Sequence, residues 1–104
     1  MSHVSALREV SDERVRQDQK WGEQNHPLDT WLTVLAEEVG ELAQAILKGR
    51  RAEARAEAVQ CAAVAVAIVE FIGREREPLP RMTEDERAEK ERRAALSAAG
   101  PKEK

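Results

Sequence analysis

Aromatic residues are almost absent from this sequence. It has no tyrosine, one phenylalanine and two tryptophans, so aromatic residues make up only 3% of the chain. A hydrophobic core must therefore be built mainly from alanine, valine, leucine and isoleucine. Glycine (5) and proline (4) are also few, and these are the residues that most disfavour a helix. Since no alternating apolar run is long enough to predict a strand, the composition predicts an all-α protein.

The chain also lacks a cysteine pair, a basic excess and a long apolar run. Cys61 is the only cysteine, so no intramolecular disulfide can form, which fits the cytoplasm. The net charge of −3 argues against binding to nucleic acid polymers, because their partners carry a basic excess. The N-terminal residues show no signal peptide pattern. The longest apolar run, residues 61–69, is far shorter than the roughly 20 residues that span a bilayer. We therefore expect a cytoplasmic protein without membrane contact.

Apolar residues recur at helical spacing in three segments. A weakly amphipathic helix is predicted over residues 3–20 and should end near Gly22. A strongly amphipathic helix is predicted over residues 31–49, because its leucines, valine and isoleucine fall on one face. A third helix is predicted over residues 52–72. The candidate N-cap residues of the second helix are Asp29 and Thr30.

The C-terminal part of the sequence is charged and has little apolar surface. Thr83 and Glu86 have the spacing of a capping box, which predicts a fourth helical segment over residues 84–97. We therefore divide the chain into a helical domain, residues 1–77, and a C-terminal tail, residues 78–104. The tail is expected to be solvated and either partly helical or disordered.

The third predicted helix is apolar around its whole circumference. Between residues 58 and 69 its only polar residue is Gln60. Such a helix is buried on all sides, but a chain this short has too few other helices to surround it. We therefore expect a helical bundle completed by homo-oligomerisation, as a homodimer or homotetramer, with Glu70 as a paired charge at the interface.

Two helices each carry a pair of polar residues three positions apart. Glu38 and Glu41 share one flank of the second helix at the edge of its apolar stripe, and Glu57 and Gln60 form a similar pair on the third. Carboxylates in such a position repel each other, and a bound divalent cation would relieve the repulsion. The plainer interpretation is a solvated acidic flank. A ferritin-like di-iron site would require Glu-x-x-His, which His3 and His26 do not provide.

The loop between the first two helices concentrates groups that can recognise a nucleobase. Trp21 and Trp31 flank it, and an indole can stack on a base. Both tryptophans can equally be ordinary core anchors. The polar residues within or beside the loop are Lys20, Gln24, Asn25 and His26.

These residues together resemble the MazG-like, all-α nucleoside triphosphate pyrophosphohydrolase superfamily. Its motif is EExxE, a spacer and then ExxD. Glu37, Glu38 and Glu41 match the first part, Glu57 matches the second, and Gln60 stands where the family usually has aspartate. The segment 16–26, with its KWG-x-Q-x-H pattern, resembles the N-terminal part of phage and bacterial MazG-like proteins. The resemblance covers roughly residues 8–72.

The resemblance implies Mg²⁺-dependent hydrolysis of a nucleoside triphosphate, often a deoxynucleotide, to the monophosphate and pyrophosphate, with Mn²⁺ as a substitute ion. It implies metal ligation by Glu38, Glu41 and Glu57, with Gln60 as a neutral fourth ligand and Glu37 as a ligand or water-orienting group. Because Gln60 carries no charge, a non-catalytic helical dimer that binds nucleotides or a protein partner is an alternative, and a purely structural oligomerisation module is another. The candidate substrate-binding residues are Lys20 and Lys48 for phosphates, and Trp21, Gln24, Asn25 and His26 for the base.

Overall fold

The structure, a computed structural model, describes residues 1–75 and 83–99. They form four helices: α1 (His3–Trp21), α2 (Leu28–Leu47), α3 (Arg51–Arg74) and α4 (Glu84–Ala99). The described residues contain no strand, so the all-α prediction is confirmed. The boundary predicted between residues 77 and 78 and the disorder predicted at the C-terminus lie outside the described residues.

The ends of the helices follow from local hydrogen bonding. Ser2 caps α1, since its side chain accepts a hydrogen bond from the backbone N–H of Ser5 at 3.2 Å. Gly22 ends the helix with a φ of 72°, and its N–H donates to the Asp18 carbonyl. Gly49, with a φ of 68°, stands in the short turn between α2 and α3. Both glycines adopt a backbone conformation that costs other residues energy.

The start of α2 differs from the prediction. The helix begins at Leu28, and the Pro27 carbonyl accepts hydrogen bonds from the N–H groups of Thr30 and Trp31. Asp29 and Thr30 therefore lie inside the first turn, so the N-cap prediction for them is wrong. Pro27 suits this position because its fixed φ is compatible with a helix start.

Helices α2 and α3 form an antiparallel hairpin around the apolar core. Trp31 of α2 packs against Val64, Ala67 and Phe71 of α3, and the Trp31 and Phe71 rings lie 6.2 Å apart. These residues recur at three- and four-residue spacing on α3 and so share one face. Partly buried apolar side chains complete this cluster: Leu28, Val34, Leu35 and Ile68.

Helix α1 lies against α3 and contributes polar as well as apolar contacts. Val10 and Gln17 are its buried residues. The Arg14 guanidinium donates to both carboxylate oxygens of Glu70, at 2.9 and 3.2 Å. Glu70 is therefore a paired charge, and its partner is an arginine of the same chain. Its position at an interface between copies stays a prediction.

Helix α4 packs against α2. Ala94 is only 4% exposed, and Lys90 Nζ lies 2.8 Å from Asp29 Oδ2. The expectation of a solvated tail is therefore wrong for the face of α4 that carries Ala94. It holds for the opposite face, where charged side chains such as Arg92 and Arg93 are exposed.

Replacing the buried alanine of α4 by glutamate tests this docking. Ala94→Glu places an unpaired charge in an apolar contact, and such changes destabilise by about 1–3 kcal/mol. We expect a lower melting temperature and faster proteolysis within α4. Ala88→Glu, at an exposed position of the same helix, is the control and should melt like the wild type. Equal melting temperatures for the two variants would show that α4 does not dock.

One side of the hairpin leaves apolar side chains exposed. Leu32, Val39 and Ile46 recur every seven residues on α2, and Val69 and Ile72 are exposed on α3.

Helix α3 is long and apolar enough to cross a membrane. The core helix of a soluble bundle can meet the same two criteria of length and composition. The polar residues of α3, Glu57, Gln60 and Glu70, interact with groups on α1 or α2.

Candidate metal and nucleotide site

Three glutamates meet between the two helices of the hairpin. Glu38 and Glu41 lie one turn apart on α2, and Glu57 lies opposite them on α3. One carboxylate oxygen of each lies within 4.8 Å of the other two, and all three residues are half-buried. The i, i+3 spacing on α2 puts both side chains on the face that meets α3. The predicted acidic ligands from the two helices are therefore brought together.

The cluster is electrostatically crowded. Burial, hydrogen bonding to Glu38 and Glu41, and their negative charges raise the pKa of Glu57 to about 8. Burial and the same carboxylates also raise the pKa of the neighbouring Cys61 thiol. The Glu57 Oε2 atom is buried and has no hydrogen-bond partner. A buried acceptor without a donor is costly, so this oxygen is suited to a ligand that the protein itself does not supply.

The residues of the cluster fit a hard divalent cation. Their donors are carboxylate oxygens, which Mg²⁺ and Mn²⁺ prefer over the nitrogen and sulfur donors typical of zinc sites. A cation would neutralise the mutual repulsion and provide a partner for Glu57 Oε2. Glu37 lies on the same helix but outside this three-residue cluster.

A cleft of about 900 Å³ opens beside the cluster. Its volume is within the range of small-molecule sites, about 300–1,000 Å³. The cleft lies between α1, the loop after it and the α2–α3 hairpin, and Glu38 and Gln60 form part of its wall. The four residues predicted to contact a base all line it: Trp21, Gln24, Asn25 and His26.

Arg74 holds the loop at the edge of this cleft. Its guanidinium donates to the Gln24 carbonyl at 3.2 Å and to Asn25 Oδ1 at 3.1 Å, and Nε lies 3.2 Å from a carboxylate oxygen of Glu23. His26 Nε2 lies 2.9 Å from Gln24 Oε1. The loop is therefore tied to the end of α3. No periodic pattern in the sequence predicts this contact.

The two tryptophans have different surroundings. Trp31 is 4% exposed, packs edge-on against His26 and has a buried indole N–H without a hydrogen-bond partner. It serves as the core anchor that the plainer interpretation expected, and it also lines the cleft. Trp21 is 55% exposed, and Lys20 Nζ lies 4.7 Å from the centre of its ring. Its exposed ring leaves a face for stacking.

The second candidate lysine lies at the other side of the cluster. Lys48 lines a smaller pocket of about 170 Å³ together with Glu41, Glu57 and the ion pair of Arg50 with Glu53. The acidic cluster thus stands between a large cleft with aromatic and amide groups and a small pocket that holds two basic residues and a further carboxylate. Lys20, in contrast, is engaged with Trp21 and does not line either pocket.

Gln60 is turned towards α1. Its Oε1 accepts a hydrogen bond from Gln17 Nε2 at 3.2 Å. Glu13, on α1, has a lowered pKa because Arg16 and, to a smaller degree, Gln60 and Gln17 donate hydrogen bonds to it. Ligation of a metal by Gln60 stays a prediction. The sequence analysis did not assign a role to the polar residues of α1 that line this side of the cleft, Arg14 and Gln17. Arg14 lies outside the segment 16–26, and Gln17 lies inside it but outside the KWG-x-Q-x-H pattern.

Comparison with known proteins adds no relative: no protein-family model, no curated protein and no solved structure matches this chain.

Replacing Glu57 by glutamine tests whether the three clustered carboxylates repel one another. Since the pKa of Glu57 in the folded chain lies above its ordinary value of 4.5, the free energy of unfolding falls as pH rises from about 4.5 to about 8. In EDTA well above pH 8, Glu57→Gln should therefore melt at a higher temperature than the wild type. At or below about pH 4.5 the two should be similar.

Magnesium should reverse the order of the two melting temperatures. Added Mg²⁺ should raise the melting temperature of the wild type more than that of Glu57→Gln, because the variant lacks one charged ligand. Glu75→Gln, at the exposed C-cap of the same helix, is the control and should respond to Mg²⁺ like the wild type. Identical alkaline melting temperatures for wild type and Glu57→Gln would contradict the crowded cluster.

Proposed function

We propose that this protein is a Mg²⁺-dependent nucleoside triphosphate pyrophosphohydrolase that converts an NTP or dNTP to the monophosphate and pyrophosphate. The observation that carries the proposal is the cluster of Glu38, Glu41 and Glu57 beside a cleft with an exposed indole and several amide groups. The EExxE motif and the loop pattern described above support the same function. The proposal places the protein in the cytoplasm, where nucleoside triphosphates are available.

The three clustered glutamates would hold the ion from two helices. A bound ion would offset the charge of the triphosphate and polarise its α-phosphate. Glu37 is our candidate for orienting the attacking water, as the first carboxylate of the motif. Gln60, if it ligates at all, would add no charge.

The two pockets suggest how a nucleotide would lie across the cluster. The base would enter the large cleft, where Trp21 offers a ring face and Gln24, Asn25 and His26 offer hydrogen-bonding groups. The phosphates would lie at the carboxylates, with Lys48 on the far side. A cationic side chain there would contact the pyrophosphate end of the substrate.

A panel of ribo- and deoxyribonucleoside triphosphates with Mg²⁺ or Mn²⁺ tests the proposal by measuring pyrophosphate release. Glu38→Gln and Glu41→Gln should each lower turnover by at least the roughly 10–100-fold typical of disturbed metal sites. Both variants should keep the helical circular dichroism spectrum. Asp12→Asn, at an exposed position of α1, should keep full activity. Near wild-type turnover by either glutamine variant would remove these residues from the site.

A non-catalytic helical dimer that binds nucleotides or a protein partner is the second candidate function. Gln60 favours it, because the amide leaves the site with one negative charge fewer than the family motif would give. In that case nucleotides would raise the melting temperature without releasing pyrophosphate. The absence of both effects would leave the third candidate, a purely structural oligomerisation module.

We also propose that a second copy covers the exposed apolar side of the hairpin. The exposed apolar residues form one strip on α2 and one on α3. At about 100° per residue, each strip is rotated in the same direction away from the face that contacts the other helix. Because the two helices are antiparallel, both strips lie on the same side of the hairpin, opposite α1. The strips recur at heptad spacing, which is the pattern of bundle seams. Their exposed members include Val39 and Ile46 on α2, and Ala58, Ala65, Val69 and Ile72 on α3.

Substitution of the most exposed valine of this side tests the proposal. Val69 is 70% exposed in the single chain, so Val69→Glu should leave the fold of one copy unchanged. It should shift the sedimentation coefficient from that of an oligomer to that of a monomer at micromolar concentration. Val15→Glu, on the exposed side of α1, should remain oligomeric. A wild-type protein that sediments as a folded monomer would overturn the proposal.

A further inference from the structure

A continuous chain of side-chain hydrogen bonds joins α1 to α3 along one wall of the cleft. Its members are Glu13, Arg14 and Gln17 of α1 and Gln60 and Glu70 of α3, and we call this set the α1–α3 clamp. Gln17 is its centre, because its Nε2 donates to Glu13 and to Gln60, each at 3.2 Å, and its Oε1 accepts from Arg14 at 3.0 Å. Arg14 continues the chain to Glu70.

The burial of the clamp makes these bonds necessary. Gln17 is only 8% exposed, and it is the one buried polar residue among the described residues. Buried amides are hydrogen-bonded in nearly all proteins, since an unpaired group loses its water without compensation. If Gln60 turned its oxygen towards the carboxylate cluster, Gln17 Nε2 would lose this acceptor, and within the clamp only the Arg14–Glu70 pair would still join the two helices.

We propose that Gln60 is a positioning residue that fixes α1 against α3 and is not a ligand of the metal. Through this contact the α1 wall of the cleft, with Gln17 and Trp21, keeps its place relative to Glu38. The site then offers three carboxylates from α2 and α3. The assignment of the clamp is independent of the proposed hydrolase activity, and only the metal-binding arm of its test rests on the three-glutamate site.

The chemistry of position 60 distinguishes the two roles. In the clamp, the Gln60 side chain accepts a hydrogen bond from Gln17, and its amide helps to lower the pKa of the neighbouring Glu13. A glutamate would keep the acceptor but would place a second carboxylate beside Glu13. As a metal ligand, the same glutamate would add a negative charge next to a divalent cation and strengthen its binding.

The experiment exchanges the carboxylate at position 13 and the amide at position 60. Gln60→Glu should lower the melting temperature in EDTA by several degrees. The double variant Glu13→Gln with Gln60→Glu should recover most of that loss, because the amide at position 13 can donate to the carboxylate at position 60. Gln19→Glu, at an exposed position of α1, is the control for added charge and should melt like the wild type.

Magnesium is then titrated against each variant without any substrate. The concentration that gives half of the full rise in melting temperature should be the same, within about twofold, for the wild type and the double variant. A tenfold lower concentration for the variants carrying glutamate at position 60 would identify Gln60 as a ligand position and overturn the proposal. Failure of Glu13→Gln to restore the stability of Gln60→Glu would overturn it as well.

Discussion

The electrostatic repulsion among Glu38, Glu41 and Glu57 is the constraint on which the rest of the structure depends. Three carboxylates lie half-buried at a helix–helix contact, where apolar residues would pack more favourably. The hairpin holds them together from both ends. The short turn at Gly49 joins the helices on one side, and the packing of Trp31 against Phe71 joins them on the other. The turn and the aromatic packing thus hold the three mutually repelling carboxylates in place.

This repulsion is relieved by either a proton or a cation. With a pKa of about 8, Glu57 holds a proton near neutral pH, and that proton removes one of the three negative charges. A divalent ion would compete with the proton for the same oxygens, so binding of the ion would release it. Metal binding at the proposed site would therefore depend on pH. The crowded carboxylates that weaken the metal-free hairpin would stabilise it once a cation is bound.

Much of the hairpin and of the acidic cluster could be predicted from the sequence, because both depend on periodicity. The spacing of apolar residues fixed the faces of α2 and α3, and the i, i+3 spacing of Glu38 and Glu41 put them on the face towards α3. The start of α2 was not predictable in the same way. Pro27 and the candidate side-chain caps Asp29 and Thr30 lie within a few residues of one another, and each could begin the helix. The buried residue in the described part of α4 is Ala94, and a single alanine gives almost no hydrophobic signal.

The polar wall of the cleft escaped prediction for a different reason. Arg14, Gln17 and Glu70 act through hydrogen bonds between helices, and such bonds depend on the relative position of the helices rather than on spacing within one of them. Until α1 is placed, glutamine at position 60 looks like a metal ligand that has lost its charge. Once Gln17 and Glu13 are placed beside it, its neighbours require both a donor and an acceptor. A neutral amide supplies both, whereas an ionised carboxylate supplies only acceptors, so the interaction with α1 accounts for a glutamine at this position.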